Sequence, residues 1–439
     1  MPFGVPETSI VRWAASLVGS LIVLSLTGLQ LLAADPPYEI VIKGGQVIDP
    51  KNGINQVMDV AIAGGKIVSV ASNIPPEQAK KTISAEGLYV VPGLIDLHAH
   101  VFFGTDPHAQ YAGGLNSVSP DGFTFRAGVT TVVDVGGAGW RNFQTFKEQV
   151  IDHSRTRVLA FLNIVGSGMA GNPAEQDLAD MNPRLTALKI RQYRDLIVGV
   201  KVAHYTGPEW DPIDRLVEAG RLANVPVMVD FGSHIPNLSL KTLLLDKLRS
   251  GDIYTHMYGG SEGREAIVDE TGKLKPYVLE ARNRGVIFDV GHGGGSLFYQ
   301  FLLPSIQQAF WPDVISTDLH RGSMNAGMKD MLNVMSKFLS LGMSLQDVIR
   351  ASSWTPAQVI KRTDLGHLDI GSSADVAVLR LHRGNYGFVD SGGVRIPGNQ
   401  KLEAELTLRE GRVVWDLNGL SAAEFEKSGK QSSDSSVPR

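Results

Sequence analysis

Hydrophobic and polar positions divide the chain into segments with different patterns. Residues 13–32 form an uncharged apolar run, and residues 38–91 alternate β-branched and polar side chains between glycine-rich turns. From residue 94 to residue 320, continuous apolar runs recur instead. Alternation is typical of half-buried antiparallel strands, whereas continuous apolar runs are typical of strands that are buried on both faces. The pattern therefore predicts an antiparallel sheet followed by a parallel one.

The middle of the chain repeats one unit. Segments with helical periodicity, such as 211–224 and 241–250, separate several of the apolar runs. Eight alternating strands and helices predict an α/β fold of the (β/α)8 TIM-barrel type. A further helix is predicted over 345–360. The eight predicted strands are 94–100, 130–136, 158–164, 197–203, 226–232, 252–258, 286–292 and 313–320.

Strand-like alternation returns near the C-terminus, at 374–381 and 404–416. Two such segments flanking a long α/β region predict one small β-sandwich domain that is formed by both chain ends. The expected organisation is a composite β domain from 35–91 and 364–420, a barrel over 92–363, and a polar, disordered tail over 421–439.

The amino-acid composition excludes several classes of function and of functional site. The net charge is −4, and 20% of the residues are charged, which excludes the basic surface that nucleic acids require. The chain contains no cysteine, so a disulfide, a thiolate metal site and a cysteine nucleophile are all excluded. Any metal ion must bind to histidine, carboxylate or a modified lysine.

The N-terminus has the features of an export signal. Arg12 precedes the apolar run, and Ala33 and Ala34 follow it. A positive flank, an apolar stretch and small residues predict a signal peptide over 1–34 and a secreted or periplasmic protein. The apolar run is also nearly long enough to cross a bilayer, so an uncleaved N-terminal anchor is the alternative interpretation.

Residues with metal-binding or proton-transfer chemistry lie at the ends of most predicted barrel strands. His98 and His100 are two apart on a strand, so both imidazoles point to one face, which favours a divalent cation such as Zn²⁺. A satisfied polar pair at a strand end is the ordinary alternative. In a barrel, the C-terminal strand ends form the active-site mouth. The candidates there are His98, His100, Lys201, Asp230, His256, His292 and Asp318.

Several of these residues stand in recognisable motifs. VPGLIDLHAH (91–100), Lys201, THMY (255–258) and STDLH (316–320) resemble the metal-dependent hydrolases of the amidohydrolase superfamily. The run FDVGHGGGS, followed by ISTDLH, is similar to the amidohydrolase/deacetylase branch, which neighbours the dihydroorotases. The resemblance covers residues 38–416.

The resemblance implies two divalent metal ions, with zinc first and manganese second. His98, His100 and Asp318 would bind the more buried ion. Lys201 would be an N6-carboxylysine that bridges both ions, and His256 would bind the second ion. Burying Lys201 between two valines as an ammonium is costly, and a neutral amine can take up CO₂. An ordinary ion-paired lysine is the alternative.

The fifth predicted strand departs from the family, because Asp230 stands where a histidine is usual. Three interpretations stay open. Asp230 binds the second metal, His234 replaces it from the following loop, or only one metal binds, on His98, His100 and Asp318. Oxygen ligation by Asp230 would shift the preference from Zn²⁺ towards harder ions such as Mn²⁺.

Residues 291–296, GHGGGS, lack the lysine of a phosphate-binding loop. The resemblance implies that His292 faces the substrate, and we expect the backbone amides of Gly293 and Gly294 to serve as hydrogen-bond donors. His204 and His320 have no assigned role at this point, although His320 could take part in hydrogen bonds that orient the metal ligands.

The expected function is hydrolysis of an N-acyl or O-acyl bond in a small molecule by a metal-activated hydroxide, with Asp318 as the proton acceptor. Two alternatives remain. One is a cyclic amide hydrolase of the dihydroorotase or hydantoinase kind, and the other is a catalytically weakened protein that binds metal or ligand. We expect no membrane association beyond a possible N-terminal anchor. A homo-oligomer is possible, but the sequence determines neither the oligomeric state nor the substrate.

Overall fold

The computed structural model describes residues 35–104, 116–171, 173–230, 238–260 and 264–424. The predicted signal peptide and the end of the predicted polar tail lie outside these ranges, as does His234. Among the described residues, no helix is both long enough and apolar enough to cross a bilayer.

The described part of the chain begins with five strands. Glycines with positive φ allow the tight turns between the first three strands, at Gly53 (φ 65°) and at Gly64 and Gly65 (φ 57° and 71°). The first strand pairs antiparallel with the second and parallel with the fourth and fifth. These strands are β1 (Tyr38–Asp49), β2 (Ile54–Ala63), β3 (Lys66–Ala71), β4 (Ala79–Ser84) and β5 (Tyr89–Pro92).

A parallel sheet of seven strands follows, in the order in which the strands occur along the chain. Its longer strands are fully or almost fully buried, as continuous apolar runs predict. The strands are β6 (Leu94–Ala99), β7 (Val129–Gly139), β8 (Arg157–Asn163), β9 (Ile197–Val202), β10 (Val227–Val229), β11 (Ile253–Tyr254) and β12 (Ile287–Phe288). Seven of the eight predicted barrel strands therefore form, and together they make a curled parallel sheet.

The eighth predicted strand, 313–320, is not a regular strand. It makes two isolated parallel bridges, from Val314 to Asp289 beyond β12 and from Leu319 to Ala99 in β6. Between them, Asp318 has φ 54°, which an extended strand does not allow. The segment therefore bonds to both edges of the sheet without regular pairing.

Helices alternate with these strands. They are α1 (Phe143–Gln149), α2 (Pro183–Gln192), α3 (Asp211–Ala223), α4 (Leu240–Thr242), α5 (Pro276–Asn283), α6 (Tyr299–Gln307), α7 (Arg321–Asn325), α8 (Met331–Ser340), α9 (Leu345–Ala351) and α10 (Trp354–Val359). The helix predicted over 211–224 is confirmed as α3. The single helix predicted over 345–360 is wrong, because Ser352 and Ser353 separate α9 from α10. The Ser353 hydroxyl donates to Ile349 O at 2.6 Å, one turn back.

Three antiparallel strands are the last strands of the described residues, β13 (Val376–Val389), β14 (Arg395–Arg409) and β15 (Arg412–Asp416). They join the N-terminal strands in one hydrogen-bonded sheet, in the order β15-β14-β13-β5-β1-β2-β3, with β4 also on β1. This sheet from both chain ends has its own apolar core, which includes Val47, Val60 and Val376. The β13–β14 hairpin continues beyond the β5 pairing, and we call residues 388–394 the hairpin tip.

Candidate metal centre

Strand β6 and His100, the residue that follows it, present two imidazoles to one carboxylate. The strand is buried along its whole length, and His98 is completely buried. Nε2 of His100 lies 2.9 Å from Asp318 Oδ1, and Nε2 of His98 lies 3.5 Å from the same oxygen. The predicted one-face arrangement of the two histidines is therefore present, and the third predicted ligand meets them there.

The two adjacent strands β9 and β10 add a lysine and a carboxylate. Lys201 is fully buried, and its Nζ lies 3.3 Å from His98 Nε2 and 3.3 Å from Asp230 Oδ2. Beyond β11, His256 places Nε2 2.9 Å from Asp230 Oδ1. Lys201 and Asp230 thus connect the His98 side of the cluster to the His256 side.

Outer hydrogen bonds orient the imidazoles. The Thr255 hydroxyl donates to Asp289 Oδ2 at 2.6 Å, so it must accept from His98 Nδ1, 3.0 Å away. His256 Nδ1 donates to Gly291 O at 2.5 Å. Both rings therefore carry the proton on Nδ1 and direct the Nε2 lone pair into the cluster, as metal-binding histidines do. Sequence reasoning missed Thr255 and Asp289, although both stand inside the quoted motifs.

The surroundings of the cluster favour ionised carboxylates at Asp318 and Asp230 and a neutral imidazole at His98. Burial opposes ionisation of Asp318, but the neighbouring imidazoles of His98, His100 and His320, together with a hydrogen bond that His100 donates, outweigh it and lower the pKa of Asp318. Burial likewise opposes ionisation of Asp230, and His256 and Lys201 hold its pKa well below the usual range. Burial and the nearby Lys201 charge lower the pKa of His98 to about 3.

This donor set suits a divalent cation. Potential ligand atoms of His98, His256 and Asp318 lie within 4.8 Å of one another. Imidazole nitrogens with available lone pairs, together with ionised carboxylates, are the ligands that Zn²⁺ and similar ions prefer. The residues therefore fit a bound metal.

Unusual backbone conformations shape the same region. His204, His256 and Asp318 have φ values of 56°, 59° and 54°, in the left-handed region that side chains other than glycine rarely adopt. The Ser323 hydroxyl donates to Asp318 O at 2.7 Å and helps to hold this conformation. Such strain concentrates at functional sites, where surrounding contacts maintain it.

The glycine-rich loop differs in part from the expectation. The Gly293 amide donates to Thr317 O at 2.9 Å, so it is not available as a donor to substrate. Its role is steric, because a Cβ at this position would lie 2.4 Å from Asp318 Oδ2. The expectation that Gly294 donates to substrate stays a prediction. His292 is fully buried, with Nε2 2.6 Å from Lys337 Nζ.

The two other histidines near the site have protein partners. His320 Nδ1 accepts from the amides of Gly322 and Ser323 and so caps α7, while its Nε2 lies 3.9 Å from Asp318 Oδ2. His204 Nδ1 lies 3.2 Å from the buried Glu175 carboxylate, which raises the pKa of His204 against the opposing effect of burial. Glu175 is a further residue that the sequence did not single out.

No protein-family model matches the chain. A deacetylase of Agrobacterium fabrum is 33% identical over 343 residues, which cover 76% of this chain and 81% of that protein. The chain belongs to the amidohydrolase family of metal-dependent hydrolases. This amidohydrolase also resembles the crystal structure of an adenine deaminase, with a TM-score of 0.78 and 28% identity over 86% of this chain and all of that one. The crystal structure of a dihydroorotase gives a TM-score of 0.75 and 30% identity, over 86% of this chain and 99% of that one.

The family predicted from the sequence motifs is thereby confirmed, and so is the expectation of a metal-dependent enzyme of the amidohydrolase/deacetylase kind that acts on carbon–nitrogen bonds.

Proposed function

We propose that this amidohydrolase is a deacylase that removes an acyl group from a small molecule with an N-acyl or O-acyl bond. The observation that carries the proposal is the convergence of three imidazoles, two carboxylates and a buried lysine at one end of the parallel sheet. Similarity to a deacetylase over most of the chain supports the substrate class.

His98, His100 and Asp318 would hold a divalent cation. When bound, such an ion supplies Lewis acidity, which polarises the acyl carbonyl and makes a water molecule more acidic. The imidazoles are oriented for this task by Thr255, Asp289 and Gly291, as described above.

Asp318 would move the proton. Its Oδ1 faces His98 and His100, whereas Oδ2 faces the space beside Gly293 that the missing side chain leaves open. We propose that Oδ2 takes a proton from the attacking water as oxygen adds to the carbonyl carbon. The same oxygen then delivers this proton to the leaving amine or alcohol as the acyl bond breaks.

We further propose a second metal and an N6-carboxylysine at Lys201. The position of Nζ between His98 and Asp230 supports this, because an added carboxylate there would extend into the cluster. Zinc suits the imidazole side, and manganese becomes competitive if the Asp230 oxygens bind.

A cyclic amide hydrolase is the second candidate. Similarity to the structure of a dihydroorotase favours it, and the same cluster could open a ring amide. A protein that binds metal but has lost turnover is the remaining alternative, for which Asp230 at the fifth strand is the motivating observation.

The test uses the full chain, purified with its metal, on a panel of N-acyl amino compounds, acyl esters and cyclic amides. We expect turnover of acyl compounds, loss of it after chelation, and recovery when Zn²⁺ or Mn²⁺ is added back. Asp318→Asn is the matched control for contaminating hydrolases. Turnover of cyclic amides alone would favour the second candidate, and metal binding without turnover would favour the binding protein.

We also propose that the segment 313–319 closes the parallel sheet into a complete barrel, and that the sheet from both chain ends bends into a sandwich. The bridges to Asp289 and Ala99 support the first proposal, and the single apolar core of the composite sheet supports the second. An experimental structure at atomic resolution tests both.

Export is the last part of the proposal. Arg12 and the apolar run that follows it support secretion into the periplasm or medium. Cell fractionation should find the mature protein outside the cytoplasm, with its N-terminus near Asp35. A full-length cytoplasmic product would contradict export.

A further inference from the structure

Helix α8 buries a lysine against the glycine-rich loop. Lys337 is fully buried, and its Nζ donates to His292 Nε2 at 2.6 Å and to Gly327 O at 2.7 Å. In the described part of the chain, no carboxylate forms a salt bridge with it. Burial lowers the pKa of Lys337 to about 7. A buried amine without a counter-ion destabilises a fold, so its presence here calls for a specific role.

The contacts of His292 determine its tautomer. Its Nδ1 lies 2.9 Å from Gly293 O, which can only accept, so the ring proton is on Nδ1. Burial and the Lys337 charge lower the pKa of His292 to about 3, which keeps the ring neutral. Nε2 therefore accepts from Lys337, and both ring nitrogens are engaged by the protein rather than by a substrate.

His292 connects Lys337 to the carboxylate that moves the proton. The next residue, Gly293, packs its Cα against Asp318 Oδ2, and its amide donates to Thr317 O, one residue before Asp318. A shift of the His292 ring would carry Gly293 with it. The position of Asp318 Oδ2 therefore depends on where Lys337 holds the imidazole.

The other partner of Lys337 lies beneath the hairpin tip. A Cβ on Gly327 would lie 2.6 Å from the carbonyl oxygens of Val389 and Asp390, so this glycine lies directly against the tip. The tip also holds the end of the glycine-rich loop, because Ser391 Oγ accepts from the amides of Ser296 and Leu297, each at 3.1 Å. The glycine-rich loop is therefore held at both ends, by Lys337 through His292 at its start and by the hairpin tip at its end.

We propose that Lys337 is a positioning residue that acts through His292 to hold Gly293 against Asp318, so that Oδ2 stays directed at the reacting water. Lys337 itself touches neither substrate nor metal. The inference deepens the proposed function and rests on Asp318 being the group that moves the proton.

The kinetic test compares Lys337→Met, which keeps the length of the side chain but removes the donor, with Lys329→Met as a control. Lys329 is exposed and lies two residues beyond Gly327, and no hydrogen bond joins its side chain to His292 among the described residues. On the acyl compound found by the panel above, Lys337→Met should lower kcat by about 10–100-fold, the usual loss for an outer-shell partner. Its KM and metal content should match the wild type, and Lys329→Met should leave kcat unchanged. A wild-type kcat in a folded Lys337→Met protein would overturn the proposal.

A spectroscopic test needs no substrate and no lysine variant. In full-length protein loaded with metal and labelled with ¹⁵N-histidine, the His292 ring should show a protonated Nδ1 and an unprotonated Nε2. The signals are assigned by their absence from His292→Gln. A proton on Nε2 would overturn the proposal even if Lys337→Met does not fold. If no acyl compound is hydrolysed, the proposed function fails, and the ring signals still decide whether Lys337 holds His292.

Discussion

Lys201 Nζ lies 3.3 Å from Asp230 Oδ2, at the ends of two neighbouring parallel strands. The other oxygen of the same carboxylate lies 2.9 Å from His256 Nε2. Asp230 therefore reaches both the group that would bridge two metals and a group that would bind the second one. Among the described residues, it is the side chain best placed to substitute for the histidine that is usual at this strand.

The first prediction concerns Asp230 as a ligand. Asp230→Ala should lower bound metal from two equivalents to one, because it removes the carboxylate beside His256. Elemental analysis of dialysed protein measures this, with His234→Ala as the paired variant. If the wild type binds two equivalents and both variants also do, neither residue is a required ligand. A wild type with one equivalent would support a single-metal enzyme.

The second prediction concerns Lys201. Lys201→Ala should lose one metal and most activity, because a carbamate can no longer bridge the ions. Small carboxylates such as acetate should restore part of the activity by occupying the vacated space. Lys147→Ala is a suitable control, since Lys147 pairs with Asp152 on the surface. Full activity in Lys201→Ala would remove the lysine from the site.

The third prediction concerns Asp318. Asp318→Asn keeps the shape of the side chain and one oxygen for the metal, but it is a poor base. We expect metal to be largely retained and kcat to fall by about 10²–10⁴-fold, the range for loss of general acid–base catalysis. Steady-state kinetics together with metal analysis of the same preparation measures both quantities. A kcat near the wild-type value would refute the role of Asp318.

The fourth prediction concerns stability and pH. Asp375 lies between Arg157 Nη1, at 2.5 Å from Oδ2, and Arg409 Nη1, at 3.3 Å from Oδ1. Asp375→Asn leaves the two arginines with only the exposed Glu410 carboxylate as a counter-charge, so the free energy of unfolding at pH 7 should fall by about 3 kcal/mol. Urea denaturation measures it. Asp364→Asn, at the exposed pair with Arg362, should cost less than about 1 kcal/mol.

The pH dependence of this difference follows from the direction of the pKa shift. Burial opposes ionisation of Asp375, but the two arginines and the Glu410 amide lower its pKa in the folded protein. The ionised carboxylate therefore stabilises the fold above its unfolded pKa of about 3.9, and this contribution is lost as the pH falls through the lower folded value. The gap between wild type and Asp375→Asn should shrink below about pH 4. A constant gap would contradict the assignment.

Much of the candidate site could be predicted from the sequence because parallel strands bring their C-terminal ends to one edge. His98, Lys201 and His256 each follow an apolar run, and the structure brings them together with Asp318. Thr255 and Asp289 were not predicted, because Thr255 accepts a hydrogen bond from His98, over 150 residues away, and Asp289 in turn accepts one from Thr255. No local pattern distinguishes such a partner from any other polar residue in a buried strand.

The alternation of apolar runs and helices along the sequence was enough to predict the parallel sheet. The spacing of His98 and His100 was enough to predict that both imidazoles face one side, because side chains on a strand alternate with a period of two. The partner of His292 was decided only by the tertiary structure. Its backbone neighbours Gly291 and Gly293 have φ values of 44° and 54°, so no strand or helix periodicity sets the direction of its ring. The packing of α8 brings Lys337 to that ring. Such a contact between distant segments depends on how the whole core is assembled, so neither segment predicts it alone.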